Sequence, residues 1–148
     1  MSTWGRATRT QGWGGYAIGL VVFALFGCGK TVATLSYRSI GTTEEVPLAL
    51  APGSDVKLAV HAGSYSYSGR NHIMLEAALL KGSAVVETMT CEGFEFEGGA
   101  GSGCKSTHYN STCSMTVPAG GADTVRVGTR MENDNSATVE GLQVLVKQ

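Results

Sequence analysis

Apolar and polar residues alternate along several short segments of this chain, which is the pattern of strands with one buried face. The segments that are alternating or rich in β-branched residues are 33–38, 56–61, 84–90, 113–117, 123–129 and 137–147. In the last segment Leu142, Val144 and Val146 share one face, whereas Val139 is out of phase with them. This change of phase predicts a β-bulge at Gly141.

Residues 73–80 (IMLEAALL) are ambiguous between helix and strand. Met, Leu, Glu and Ala all favour a helix. Lys81 and Gly82 can nevertheless form a two-residue hairpin turn that leads into the strand-like residues 84–90. Because tertiary context overrides helix propensity, we expect a strand over residues 73–80. Residues 63–71 (GSYSYSGRN), just before it, are expected to form a loop.

The chain contains 21 glycines and only 3 prolines, spread between these segments. Glycine at this level indicates many tight turns and therefore many short strands. We expect an all-β fold, a single antiparallel β-sandwich of about seven to eight short strands. Since the final strands are similar to those that close jelly-roll domains of exported bacterial proteins, the resemblance implies a jelly-roll-like sandwich.

The N-terminal residues have the layout of a secretory signal peptide. Residues 1–15 carry two arginines and no acid, and residues 16–26 (YAIGLVVFALF) form an uncharged apolar run. Crossing a bilayer needs about 20 apolar residues, so this run is too short for an ordinary transmembrane helix. A cleaved signal helix is therefore expected, with an uncleaved anchor and a buried core helix as the alternatives.

Leu25, Phe26, Gly27 and Cys28 end this segment and resemble the lipobox of bacterial lipoproteins. The resemblance implies that the Cys28 thiol receives a diacylglyceryl group and that the chain is cut before Cys28. Residues 1–27 would then be a lipoprotein signal peptide and residues 28–148 the mature domain, joined to its lipid by a short tether. Because Gly29 rather than Asp follows the cysteine, the enteric Gram-negative sorting rule implies the outer membrane.

Charge narrows the choice of partners. Residues 28–148 carry 9 basic and 12 acidic side chains, whereas a nucleic-acid binder normally presents a basic face. We therefore expect no nucleic-acid partner. No cofactor is expected either, because no cofactor-binding motif is present in full. The expected partners are the membrane, through the lipid on Cys28, and a protein or glycan of the cell envelope.

Three cysteines remain beyond Cys28, an odd number for an oxidising compartment. If the strands carrying Cys91 and Cys113 pair as a hairpin, these two residues lie opposite each other and can form a disulfide. The alternative is a shorter loop closed between Cys104 and Cys113, and spacing alone does not decide the connectivity. The cysteines lack the close pairs typical of zinc sites, so no metal is expected on them.

Two segments carry candidate functional residues. Tyr65 and Tyr67 alternate with serines, a composition typical of binding loops, although an edge strand or a solvated loop explains it too. Glu92, Glu95 and Glu97 surround an aromatic pair, Phe94 and Phe96. Paired carboxylates can hydrolyse glycosides, but a solvated strand with an aromatic opposite face fits the pattern better. The histidines are scattered and show no catalytic or metal-binding spacing.

Taken together, these patterns favour a non-enzymatic, membrane-tethered envelope lipoprotein that acts as an accessory or binding domain. The alternatives are a carbohydrate-binding or glycan-active domain that uses residues 92–97, and a structural component of a surface assembly.

Overall fold

A computed structural model describes residues 29–96, 100–133 and 136–148. Cys28 and the signal segment lie outside the described residues, as does Glu97. The described residues form nine strands. The strands are β1 (Thr31–Ser36), β2 (Thr43–Leu50), β3 (Asp55–Ser68), β4 (Asn71–Lys81), β5 (Ala84–Phe96), β6 (Ala100–Thr116), β7 (Ala122–Asn133), β8 (Thr138–Glu140) and β9 (Gln143–Lys147). Over the same residues no helix is long and apolar enough to cross a bilayer.

The strands form two antiparallel sheets that pack face to face. One sheet has the order β1-β9-β3-β6, with β8 also paired to β3, and the other has the order β2-β7-β4-β5. Since β8 and β9 pair with successive parts of β3, they are one strand interrupted at Gly141. Two four-stranded sheets with this order make a jelly roll. The predicted antiparallel, jelly-roll-like β-sandwich is therefore confirmed.

The core lies between the two sheets and is built by the alternation seen in the sequence. Val56, Leu58 and Val60 of β3 are buried, and so are Val125 and Val127 of β7. Each such side chain removed from water contributes about 1.5–3 kcal/mol. The alternating parts of β3 and β7 therefore have their apolar faces turned inward, as predicted. Residues 84–90 form a strand but are mostly exposed, with Val85 52% exposed.

Residues 73–80 are a strand, as expected, because β4 lies in the centre of its sheet between β5 and β7. The hairpin turn is Gly82-Ser83 rather than Lys81-Gly82, since Lys81 still pairs with Ala84. Gly82 takes the left-handed conformation (φ 60°) that such tight turns require. Strand β2 was not predicted, because its first residues are polar and its register is broken after Pro47.

The predicted loop over residues 63–71 is wrong, because β3 continues to Ser68 and places Tyr65 and Tyr67 within a sheet. The core-facing positions of β3 change from even to odd numbers along this stretch, which hides the strand in the sequence. The change lies just beyond Ala62. The strands on either side of β3 each have a residue with a positive φ beside this position, Lys105 of β6 (49°) and Gly141 (61°). The chain is interrupted at Gly141, but β8 and β9 pair with β3 in one unbroken register, from Ser64 with Glu140 to His61 with Gln143. No extra residue is inserted there, so the β-bulge predicted at Gly141 is wrong.

A disulfide joins Cys91 to Cys113, with Cα atoms 5.4 Å apart, and Cys104 is free and exposed. The favoured pairing is thus confirmed, but the reason given for it is wrong. Strands β5 and β6 do not form a hairpin, because they are the edge strands of different sheets. The disulfide therefore closes one open edge of the sandwich.

Candidate functional site

The described chain begins at one end of the sandwich, which we call the entry end. The backbone N–H of Gln148 donates to the Lys30 carbonyl at 3.1 Å, so the first residues are already packed against the last strand. The short tether expected after Cys28 is therefore wrong for Gly29 and Lys30. Gly29 also lines a groove of about 590 Å³ together with Lys57, Tyr109 and Lys147.

At this groove a cation lies over an aromatic ring. The Lys147 ammonium lies 4.9 Å from the centre of the Tyr109 ring, a distance at which the two attract each other. Lys57 pairs with Lys147 across β3 and β9. The entry end therefore combines positive charge with an aromatic side chain that is 57% exposed.

Strand β3 runs from the entry end to the opposite end of the sandwich, which we call the distal end. Ten residues separate Lys57 from Tyr67, a distance of about 30 Å along an extended strand. At the distal end four rings form the aromatic cluster, which consists of Tyr65, Tyr67, Phe94 and Phe96. Ring centres are 5.5 Å apart for Tyr65 and Phe94, 5.1 Å for Tyr67 and Phe96, and 4.3 Å for the two phenylalanines.

The two tyrosines lie over glycines of the neighbouring strand β6. A Cβ at Gly103 would come within 2.5 Å of the Tyr65 ring, and one at Gly101 within 2.7 Å of the Tyr67 hydroxyl. Only glycine fits beneath these rings, and ring-over-glycine packing is a recognised way to stabilise such strands. The glycine-rich segment before Cys104 is therefore part of the aromatic cluster's packing.

A cleft of about 320 Å³ opens beside this cluster, between the edge strands β5 and β6. It is lined by residues 92–95 and 108–111. The Asn110 side-chain amide donates to the Glu92 carbonyl at 2.8 Å, and the His108 ring lies 3.6 Å from the Phe94 ring, centre to centre. Burial lowers the pKa of His108 below its ordinary value. The cleft wall is therefore held by the disulfide, this hydrogen bond and a ring contact.

A β-bulge in β5 sets the direction of the two glutamates. Ile73 pairs with Phe94 while the next residue, Met74, pairs with Glu92, which leaves Gly93 as the extra residue. Glu92 and Glu95 consequently point to the same outer face, although their odd spacing would place them on opposite faces of a regular strand.

On that outer face the glutamates meet two basic side chains. The His72 Nδ1 donates to Glu92 Oε2 at 2.7 Å, and the Arg70 Nε donates to Glu95 Oε1 at 2.7 Å. We call His72, Glu92 and Glu95 the His72 cluster. Its possible ligand atoms all lie within 4.8 Å of one another, so these three side chains could hold a metal ion.

The structure agrees with the strand-edge interpretation of residues 92–96. β5 is an edge strand, Phe94 and Phe96 are buried, and Glu95 faces outward. In this arrangement Glu92 and Glu95 each have a basic partner, whereas a general acid is usually freed of such partners so that its pKa can rise. Their use as an acid–base pair stays an untested alternative.

Sequence reasoning noticed the tyrosines and the glutamates but missed Arg70, His72 and Asn110 as their partners. A signal for the shared face of Glu92 and Glu95 was present, because an isolated glycine such as Gly93 within a strand-like run indicates a bulge. The contacts of Arg70 and Asn110 depend on which strands become neighbours, and no local pattern carries that information.

Comparison with known proteins yields no assignment for this chain. No protein-family model matches it, and no curated protein sequence matches it either.

Proposed function

We propose that this chain is an envelope lipoprotein, acylated on Cys28, whose β-sandwich is a non-enzymatic accessory or binding domain. The observation that carries the proposal is the lipobox-like residues 25–28, directly followed by a folded domain. Gly29 and Lys30 already pack against Gln148, so a cut before Cys28 would leave the folded domain intact. Two or three acyl chains on Cys28 would then hold it at the membrane, since each buried methylene contributes about 0.8 kcal/mol.

The chemistry of the two ends of the sandwich supports an orientation with the entry end at the membrane and the distal end away from it. Lipid on Cys28 would hold the entry end against the bilayer, where the exposed Lys57 and Tyr109 provide positive and aromatic side chains that suit a headgroup layer. Lys147 is only 8% exposed and packs against the Tyr109 ring. The aromatic cluster would then project about 30 Å away from the membrane surface. Because Gly29 follows the cysteine, the proposed location is the outer membrane.

The proposed binding surface is the distal end around Tyr65 and Tyr67. Both rings are partly exposed and lie nearly parallel, with 24° between their planes. Tyrosine offers a rigid contact area at a low cost in conformational entropy, and the phenylalanines beneath fix the position of these rings. A protein or a glycan of the envelope is the proposed partner.

The test of the binding surface compares tyrosines at the two ends. The full chain, crosslinked in intact cells and purified from membranes, should capture an envelope partner that Tyr65→Ala and Tyr67→Ala variants lose. Tyr109→Ala, at the entry end, is the matched control and should retain it. Capture that is equal in all variants would overturn the role of the distal end.

A carbohydrate-binding domain is the second candidate function, favoured by the nearly parallel Tyr65 and Tyr67 rings. Partly exposed aromatic rings of this kind present flat apolar faces to a sugar ring. Binding of purified protein to peptidoglycan or polysaccharide, lost in Tyr67→Ala, would favour it over a protein partner. Turnover of the glycan that is lost in Glu95→Gln would instead favour a glycan-active enzyme.

A further inference from the structure

The His72 cluster joins three side chains with metal-ligand chemistry from two neighbouring strands. His72 lies on β4, and Glu92 and Glu95 lie on β5, the edge strand beside it. Their ligand atoms are within 4.8 Å of one another. An imidazole nitrogen with carboxylate oxygens is a ligand set typical of zinc and other first-row transition metals.

The backbone that carries the two glutamates is held from three sides. Gly93 at the bulge packs against the core, because a Cβ there would lie 2.5 Å from Val60 Cγ2. The disulfide of Cys91 precedes the bulge, and Asn110 binds the Glu92 carbonyl. Ligands on a rigid scaffold lose little entropy when they bind an ion, which favours affinity.

The side chains themselves are accessible enough to bind an ion from solution. The His72 side chain is 13% exposed, Glu95 25% and Glu92 35%. Two carboxylates supply the negative charge that balances a divalent cation. Glu132, which pairs with His72 across β7 and forms an ion pair with Arg130, adds a third carboxylate to the surroundings.

We propose that the His72 cluster is a surface site for a divalent transition-metal ion, with Zn²⁺ as its representative. The ion would be bound by His72, Glu92 and Glu95, and water would complete its coordination. It would replace the hydrogen bond between His72 and Glu92 and compete with Arg70 for Glu95. The Arg70 side chain is 67% exposed, so it can leave Glu95 without breaking a buried contact.

The competition with Arg70 separates this site from a simple surface ion-pair network. In a network that binds no metal, Arg70 is one more stabilising partner of Glu95. In a metal site, Arg70 is a rival cation, so its removal should tighten metal binding. The two interpretations therefore predict different responses to Arg70→Ala.

The test is a Zn²⁺ titration of the full chain after treatment with a chelator, followed by calorimetry. Cys28→Ser combined with Cys104→Ser is used as the background, because a free thiol binds zinc on its own and Cys28 is a second free thiol when it carries no lipid. One equivalent of Zn²⁺ should bind, and His72→Gln and Glu92→Gln should each weaken binding about tenfold or more. Arg70→Ala should strengthen it severalfold. His61→Ala removes a histidine from the other sheet, where His61 contacts Thr107, and should leave the affinity unchanged.

A thermal melt gives an independent readout, since an ion that binds only the folded state raises its midpoint. Saturating Zn²⁺ should raise the midpoint of the background protein and of His61→Ala but not that of His72→Gln. No binding by the background protein would overturn the proposal. So would an affinity in His72→Gln and Glu92→Gln that is unchanged from that of the background protein, or an affinity that falls in Arg70→Ala.

Discussion

Gly93 has no side chain, and the space where a Cβ would lie is already filled. Val60 Cγ2 is 2.5 Å and Leu75 Cγ is 2.9 Å from that position. Both neighbours are fully buried core residues, so neither can move aside cheaply. One glycine therefore fixes the bulge that places Glu92 and Glu95 on the same face.

Gly93→Ala should consequently destabilise the fold by about 1–3 kcal/mol, the usual cost of overpacking a core. Gly120→Ala is the matched control, because its nearest heavy atom would be the Lys81 Nζ at 4.0 Å. Urea unfolding of both variants measures the difference. Equal stabilities would contradict the packing described for Gly93.

Tyr37 is a second residue whose surroundings give a direct test. Its buried hydroxyl donates to the Val127 carbonyl at 2.8 Å. Burial, and then the charge of Glu44, raise the pKa of the Tyr37 hydroxyl above its ordinary value. The folded state therefore favours the neutral phenol, and its stabilising effect is full below about pH 10 and is lost as the pH rises further.

Tyr37→Phe should cost about 1 kcal/mol at neutral pH, because the hydrogen bond is lost and the Val127 carbonyl stays buried. As the pH rises from about 8 to about 11, the gap between the wild type and Tyr37→Phe should narrow. Urea unfolding at both pH values measures it, with the exposed Tyr109→Phe as the control. A stability gap that widens with pH would contradict the raised pKa of the Tyr37 hydroxyl in the folded state.

Among the elements, the strands with regular alternation could be predicted, because β7, β9 and the first part of β3 each bury one face. Two elements were harder. In β4 the helix-forming residues 73–80 become a strand only because strands flank them on both sides. In β3 the buried face changes beyond Ala62, and a change of phase looks like a loop in a single sequence.

The site could be predicted only in pieces. Tyr65 and Tyr67 were singled out from one segment, and Phe94 and Phe96 from another. Their contact could not be predicted, because β3 and β5 belong to different sheets and meet only when the sandwich closes. The same holds for the disulfide, which was predicted with the correct partners but from a strand pairing that does not exist.

The disulfide links the two edge strands β5 and β6, so its removal tests how the open edge is held. Cys91 and Cys113 are separated by 22 residues, and closing a loop of that length stabilises a fold by about 3 kcal/mol. The double variant Cys91→Ala with Cys113→Ala should lose about that much in urea unfolding. Cys104→Ala, at a free and exposed position, should change little. A double variant as stable as the control would contradict the role of this disulfide.

The whole molecule has two chemically different ends joined by one sandwich. The chain enters beside Lys57, Lys147 and Tyr109, and the aromatic cluster lies at the distal end. If Cys28 carries lipid, the first end faces the membrane and the second is free for a partner. The proposed function therefore depends on the chemistry at Cys28 more than on any other residue.

The most direct test is the intact mass of the protein extracted from bacterial membranes, measured with and without reduction. We expect a mass that lacks residues 1–27 and carries acyl chains on Cys28. Reduction should add the mass of two hydrogens, for the disulfide between Cys91 and Cys113. A mass of the full chain without lipid, or of a chain cut elsewhere and free of acyl groups, would contradict the proposed lipoprotein.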